Sequence, residues 1–345
     1  MNKYIRVAQK AYIYLRYKNP YELYIFLRKR LVSKIYGYPT KLDIEATGIC
    51  NFTCSMCWCY RATDIRNNKM LSFDDFKKII DDVESYCSEI FFSGCGEPLL
   101  NNEIYGMIEY AKSKHIHTGL TTNGSALTMT NATRLIDSNP DKIIISLDAS
   151  ESTAYKTMRI GGDFNQVIEG ISNLSQENKK NQKKTTQIVL QMIITKKNEH
   201  QLNDFIELAK ELEVDLVSFR SLFIDHRGDK KYVDNLISNY LTDHEISRYK
   251  IDSNSDIELK SSGKCPSTKL PIITSDGDIA VCCHDIFAEH KQGNIINNSF
   301  KKVWNDDAYV KFRDQVMTNR KLSICRYCNY SNRSEKLIDI NRNAT

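Results

Sequence analysis

The sequence has no uninterrupted apolar run approaching the roughly 18 residues of a membrane-spanning helix, which excludes such a span. Its first residues lack the apolar core and small-residue cleavage site of a secretory signal, so the expected location is the cytoplasm. Acidic residues are nearly missing from positions 1–40, where nine Lys or Arg face the single acid Glu22 and eight tyrosines are interleaved. Cysteine, by contrast, is plentiful. Eleven cysteines in a chain expected to stay where thiols are reduced argue for metal ligation and against a disulfide framework. With 345 residues, 41% of them hydrophobic, and a mean hydropathy of -0.45, the chain reads as soluble, with room for one large α/β domain and a smaller one.

Three of the cysteines, Cys50, Cys54 and Cys57, form a C-x3-C-x2-C set directly after the alternating stretch 41–47. Three thiolates on one short loop can each ligate one iron of a 4Fe-4S cube, and the missing fourth leaves one iron open to a small molecule. Zinc is the competing reading, but it favours four closely grouped ligands in two pairs, and the adjacent Cys59 is the sole further cysteine nearby. The spacing favours iron.

Apolar runs then alternate with amphipathic stretches in a βα rhythm that predicts a parallel sheet. Strands are expected at 41–47, 89–93, 118–122, 142–147, 187–195 and 214–219. Helices are expected at 72–86, with Ser72 as N-cap and Asp74 and Asp75 in the first turn, and at 203–212. Six βα units fit a partial barrel over 41–224, preceded by a helical extension over 1–40. A polar connection with a short helix over 225–262, a cysteine-rich domain over 263–330 and a polar tail over 331–345 complete the expected organisation. The lysines 179, 180, 183 and 184 read as a solvated helix end without a function.

In a parallel βα barrel, functional residues gather on the loops after the strands. Gly94 and Gly96 flank Cys95 after the second expected strand, with Glu97 next; glycines there let backbone approach a ligand closely. Thr122 and Asn123 end the third, and Ser146 and Asp148 end the fourth, where alternation would place both on one face. Each motif is weak alone, but their order and strand context reinforce one another.

Taken together, these residues resemble the radical S-adenosylmethionine (SAM) family, in the branch with a C-terminal SPASM or shortened twitch domain, over roughly residues 41–330. The resemblance implies a partial (β/α)6 TIM-like barrel followed by a small cysteine-rich auxiliary cluster domain. It implies that Cys50, Cys54 and Cys57 hold a 4Fe-4S cluster whose open iron chelates the amino and carboxylate groups of SAM. Gly96 and Glu97 would support the methionine amino group, Ser146 and Asp148 the ribose or carboxylate, and Arg159, in the stretch 155–164, the carboxylate as a bidentate partner. Reductive cleavage of SAM to a 5'-deoxyadenosyl radical, an electron donor such as flavodoxin or ferredoxin, and oxygen sensitivity follow from the same resemblance.

The second cysteine set is Cys265, the pair Cys282 and Cys283, and Cys325 with Cys328. An Asp276-Gly277 turn between the first two groups reads as a hairpin, and a helix is expected at 299–317. Zinc ribbons are built similarly, but the resemblance implies one auxiliary 4Fe-4S cluster, with Cys282 or Cys283 as the alternative ligand. The remaining Cys59 and Cys87 read as structural, and Cys95 as a residue near the reaction chamber. An auxiliary cluster can accept an electron from a substrate radical once a base removes a proton. Base candidates are His284, Asp285, Asp225 and His226, with Arg220 nearby.

The shortened cysteine set resembles that of aminocyclitol-oxidising relatives, so the leading expectation is dehydrogenation of a small polar metabolite such as a sugar or cyclitol. Modification of a peptide or protein is the rival enzymatic reading, and a zinc-binding structural or interaction protein the rival of another class. For residues 1–40, a helix packed on the barrel, a peripheral contact with anionic lipid and a contact with an acidic partner all stay open. Nucleic acid is not an expected ligand.

Overall fold

The computed structural model describes residues 20–59, 69–181, 186–224, 230–251, 257–260, 265, 270–282, 285, 287–318, 323–325 and 335–340. The chain enters through α1 (Pro20–Tyr36) and then alternates strand and helix. The order is β1 (Lys41–Ile44), α2 (Phe73–Val83), β2 (Glu89–Phe92), α3 (Ile104–Ser113), β3 (His117–Thr122), α4 (Met129–Asp137) and β4 (Lys142–Ser146). There follow α5 (Ser152–Met158), α6 (Phe164–Lys180), β5 (Gln187–Ile194), α7 (Leu202–Glu211) and β6 (Leu216–Ser221). β1 to β6 pair in sequence order, all parallel. The expected six-stranded βα sheet is present, each strand within a few residues of its predicted bounds.

Local chemistry explains the elements. The Ser72 hydroxyl accepts the Asp75 N–H, capping α2, and Phe76, Ile79, Ile80 and Val83 form its buried stripe. β4 reads Lys-Ile-Ile-Ile-Ser and β5 is buried at six of its eight positions, as expected of central parallel strands covered on both faces.

After β6 come α8 (Lys230–Asn239), where the connection was expected to carry a short helix, and a separate hairpin of β7 (Tyr249–Ile251) with β8 (Ile257–Leu259), which its polar composition did not suggest. The predicted hairpin forms from β9 (Ile272–Ile273) and β10 (Ile279–Ala280), with Gly277 in the left-handed region at φ +85. It does not stand apart: β9 pairs in parallel with β1, joining the barrel sheet. The single helix expected at 299–317 is two, α9 (Phe300–Trp304) and α10 (Asp307–Thr318), because the Asp306 carboxylate turns back to accept the Ala308 N–H and starts a new helix. The tail expected to be merely polar contains β11 (Glu335–Asp339), antiparallel to β6. C-terminal segments thus extend the sheet at both edges.

α1 packs at the N-terminal end of the barrel strands. Lys29 Nζ donates to the carbonyls of Lys114 (2.8 Å) and His115 (3.3 Å), capping the end of α3, and Glu22 meets His115 at 3.0 Å.

Candidate active site

The loop after β1 carries the cysteine triplet. Glu45 N donates to Ile273 O (2.8 Å), tying the loop's start to the hairpin, and Cys57 N donates to Cys54 O (3.0 Å), closing its second half as a turn. Cys50 is exposed, Cys57 partly buried and Cys54 buried; none forms a disulfide. Burial pushes the Cys54 thiol up to about 11. Among the described residues no three His, Cys, Asp or Glu side chains gather tightly enough to hold a single metal ion.

The loop after β2 lies directly on this one. Gly96 has φ +83, and a Cβ on it would fall 2.1 Å from Thr47 O, so glycine is required for the two loops to touch. Glu97 N donates to Ile49 O (2.8 Å) and Cys95 N to Glu45 Oε1 (2.9 Å) beneath Gly94. The Glu97 carboxylate, 2% exposed, accepts from Thr122 Oγ1 (2.7 Å), Asn123 N (2.6 Å) and Leu99 N (3.1 Å). Burial raises its pKa, and these three donors oppose the rise. Glu97 therefore joins the second and third strand ends. Asn123 Nδ2 donates to Asn51 Oδ1 (3.0 Å) and lies 3.9 Å from Cys50 Sγ, while Asn51 Nδ2 donates to Ser125 Oγ (2.9 Å). Sequence reading passed over Asn51 and Ser125. Asn51 could have been found as the polar residue beside the first cysteine.

At the fourth strand end the geometry departs from expectation. β4 stops at Ser146, and Asp148 sits beyond it at φ +64, so the alternation that would put both on one face has ended. Asp148 is fully buried; its Oδ1 accepts the Ile193 N–H (2.7 Å) and its other oxygen pairs with Arg159 Nη2. It is committed to protein partners, unlike the open sugar ligand expected from the sequence. Ser146 Oγ instead accepts from Gln191 Nε2 (3.4 Å), whose Oε1 accepts from Arg220 Nη1 (3.2 Å), a chain across three adjacent strands.

Arg159 ends α5 with its guanidinium largely buried. Burial disfavours its charge, but Asp148 and the Cys54 and Cys57 sulfurs outweigh burial and hold the guanidinium protonated. Its buried Nε has no hydrogen-bond partner among the described residues. An unmet donor on a fixed cation, coupled to the cysteine loop, fits the carboxylate of a ligand bound there.

Cys59 and Cys95, 36 positions apart, form a disulfide with Cα atoms 5.2 Å apart, a pairing that the sequence reading, which took Cys59 as structural and Cys95 as near the reaction chamber, did not include. Cys57, Trp58 and Phe287 pack against it, which brings the C-terminal segment onto the cysteine loop. Cys87 is buried, as expected of a structural cysteine. Cys265, Cys282 and Cys325 are partly buried. Asp285 is 1% exposed, and its carboxylate accepts the N–H groups of Glu289 (3.0 Å) and His290 (3.1 Å), which makes it a turn cap. Cys283, Cys328, His284, Asp225 and His226 lie outside the described residues.

Residues 44–209 match the model of the Radical SAM superfamily, and residues 265–329 match the SPASM iron-sulfur cluster-binding domain. The chain belongs to the radical SAM superfamily. A radical SAM domain binds a 4Fe-4S cluster and SAM, and a SPASM domain binds auxiliary iron-sulfur clusters, so this chain is an enzyme of that two-part kind. It is 27% identical over 298 residues to the tungsten-containing aldehyde ferredoxin oxidoreductase cofactor-modifying protein of Pyrococcus furiosus, covering 79% of this chain and 82% of that one. The fold is similar to that of BtrN in complex with AdoMet and 2-DOIA, with a TM-score of 0.52 at 17% identity over 84% of this chain and 92% of BtrN. It is also similar to Streptococcus suis SuiB bound to the precursor peptide SuiA, with a TM-score of 0.59 at 17% identity over 86% and 72%. Among the described residues no helix is long and apolar enough to cross a membrane.

Proposed function

We propose that this radical SAM enzyme dehydrogenates a carbon of a small polar metabolite, a sugar or cyclitol by preference. Bound cluster and SAM supply a radical able to take hydrogen from unactivated carbon, and an auxiliary cluster supplies an electron acceptor. In this reading Cys50, Cys54 and Cys57 hold the first cluster, and Cys265, Cys325, Cys328 and one of Cys282 and Cys283 hold the second. Arg159 Nε receives the SAM carboxylate, with Asp148 fixing the guanidinium. Gly94, Gly96 and Glu97 shape the wall that faces the methionine end, Thr122 and Asn123 brace it through Glu97, and Ser146 offers its hydroxyl towards the ribose. Because the Asp285 carboxylate is taken up by backbone N–H groups, proton removal falls to His284, Asp225 or His226.

The observation that carries this reading is the packing of Phe287 against the Cys59–Cys95 pair, on which Cys57 and Trp58 also pack. It supports a chamber with one wall from each domain, as an oxidation ending at an auxiliary cluster requires. The nearly full coverage of BtrN, whose structure holds 2-DOIA, supports a small ligand. Likeness to SuiB, whose structure holds a precursor peptide, favours peptide modification as the second reading.

Anaerobic turnover with carbon-deuterated substrates tests both. Deuterium from a sugar or cyclitol is expected in 5'-deoxyadenosine, together with a product two mass units lighter than the protonated substrate. Transfer only from a peptide would replace the first reading with the second.

A further inference from the structure

α1 turns two polar residues inward beside Ile25 and presents a stripe of apolar residues outward. Ile25, Lys29 and Ser33 are buried, and the lysine and serine are satisfied by the Lys114, His115 and Tyr38 carbonyls. On the opposite face Tyr24, Leu27, Leu31 and Ile35 recur at steps of three and four and are 51–64% exposed, with Tyr21 and Tyr36 exposed at the two ends. Six of the eleven exposed large hydrophobic residues among the described residues lie on this one helix. A surface helix of a globular protein shows the reverse pattern, and a contiguous apolar stripe of this kind marks a contact surface.

The flanks of the stripe identify its partner. By helical position Arg30 and Lys34 line one side and Arg28 the other. Residues 1–19 continue the composition with Lys3, Arg6, Lys10, Arg16 and Lys18, four tyrosines and no acid. A second copy of the helix would bring these cations against one another. An anionic bilayer answers both properties at once: acyl chains take up Leu27, Leu31 and Ile35, tyrosine rings suit the headgroup level, and the cations meet phosphate.

We propose that the outer face of α1 docks this enzyme onto an anionic lipid surface. α1 packs beside Lys114 and His115, which precede β3, whereas the cysteine loop follows β1, so the docked face and the candidate active site lie at opposite ends of the barrel strands. Docking leaves the site open to solution.

The test is flotation of the full-length, cluster-loaded protein with phosphatidylcholine vesicles, and with vesicles carrying roughly a third phosphatidylglycerol. Recovery with the anionic vesicles is expected to be about tenfold higher or more, and to fall as salt is raised. The Leu27→Ser/Leu31→Ser/Ile35→Ser and Arg28→Gln/Arg30→Gln/Lys34→Gln variants should each lose about tenfold or more of that partitioning. Their melting temperatures and iron contents should match the parent. Equal recovery with both vesicle types, or undiminished recovery of both variants, overturns the proposal. So does a dimer that the serine variant converts to monomer while lipid binding persists, which assigns the face to a second copy. Binding of polyglutamate without binding of vesicles assigns it to an acidic protein.

Discussion

Arg159 and Asp148 form a buried ion pair beyond the end of β4, with the carboxylate also accepting the Ile193 N–H and the guanidinium Nε without a hydrogen-bond partner among the described residues. Two buried charges are tolerated only when each is paired, so removing one leaves the other stranded.

Arg159→Met is therefore expected to cost about 3–5 kcal/mol in denaturant unfolding. Asp148→Asn, which keeps the acceptor of the Ile193 N–H and loses the charge, should cost less and still weaken SAM binding by roughly tenfold through a loosened guanidinium. Unfolding curves and equilibrium dialysis with SAM check the two effects. Unchanged SAM affinity in both variants would remove Arg159 from the SAM site.

Anaerobic reconstitution should load about eight irons per chain, two clusters of four. Changing Cys50, Cys54 and Cys57 to Ala should lower this to about four, read by iron and sulfide analysis. Stoichiometric zinc without iron would end the cluster assignment for these ligands.

Gly96→Ala places a methyl 2.1 Å from Thr47 O in a backbone region that disfavours side chains. Both loops must move apart, so a loss of about 3 kcal/mol or more is expected, with cluster content reduced at the first site only. Thermal melting and the iron count report the two parts separately. Gly37→Ala, with nothing within 4 Å of its Cβ, is the control for the conformational part alone.

Burial pushes the Lys29 ammonium down to about 8. The unfolded chain keeps the ordinary lysine value of 10.5, so between about pH 8 and 10.5 it binds more protons than the folded state. Stability referred to this group must then rise with pH across that window, by on the order of 3 kcal/mol at most. The difference in unfolding free energy between the parent and Lys29→Met should grow in the parent's favour from pH 8 to 10. A difference that stays flat would show that Lys29 does not titrate there.

Some of this molecule was legible before folding because the signals are short in range. The βα alternation located all six barrel strands, Ser72 announced the start of α2, and Asp276-Gly277 announced the hairpin. The loops after β1, β2 and β3 touch one another because strand ends of a parallel sheet share one rim. Roles at that rim were less legible. The Ser146 and Asp148 pairing failed because strand alternation stops where backbone turns left-handed, and the apolar outer face of α1 was hidden by an equally helical spacing of its inner residues.

What the sequence determined by itself is the kind of chemistry: three cysteines spaced for a cluster, glycines and polar residues closing successive strands, and a second cysteine set after them. The first triplet and each strand-end motif span only a few residues, and reading them needs no knowledge of packing. Only tertiary structure decided that Glu97 braces Asn123 and Thr122, that Asp148 serves Arg159, that Cys59 meets Cys95, and that β9 and β11 extend opposite edges of one sheet. These partners are distant in the chain, and strand register and burial, rather than local spacing, bring them together.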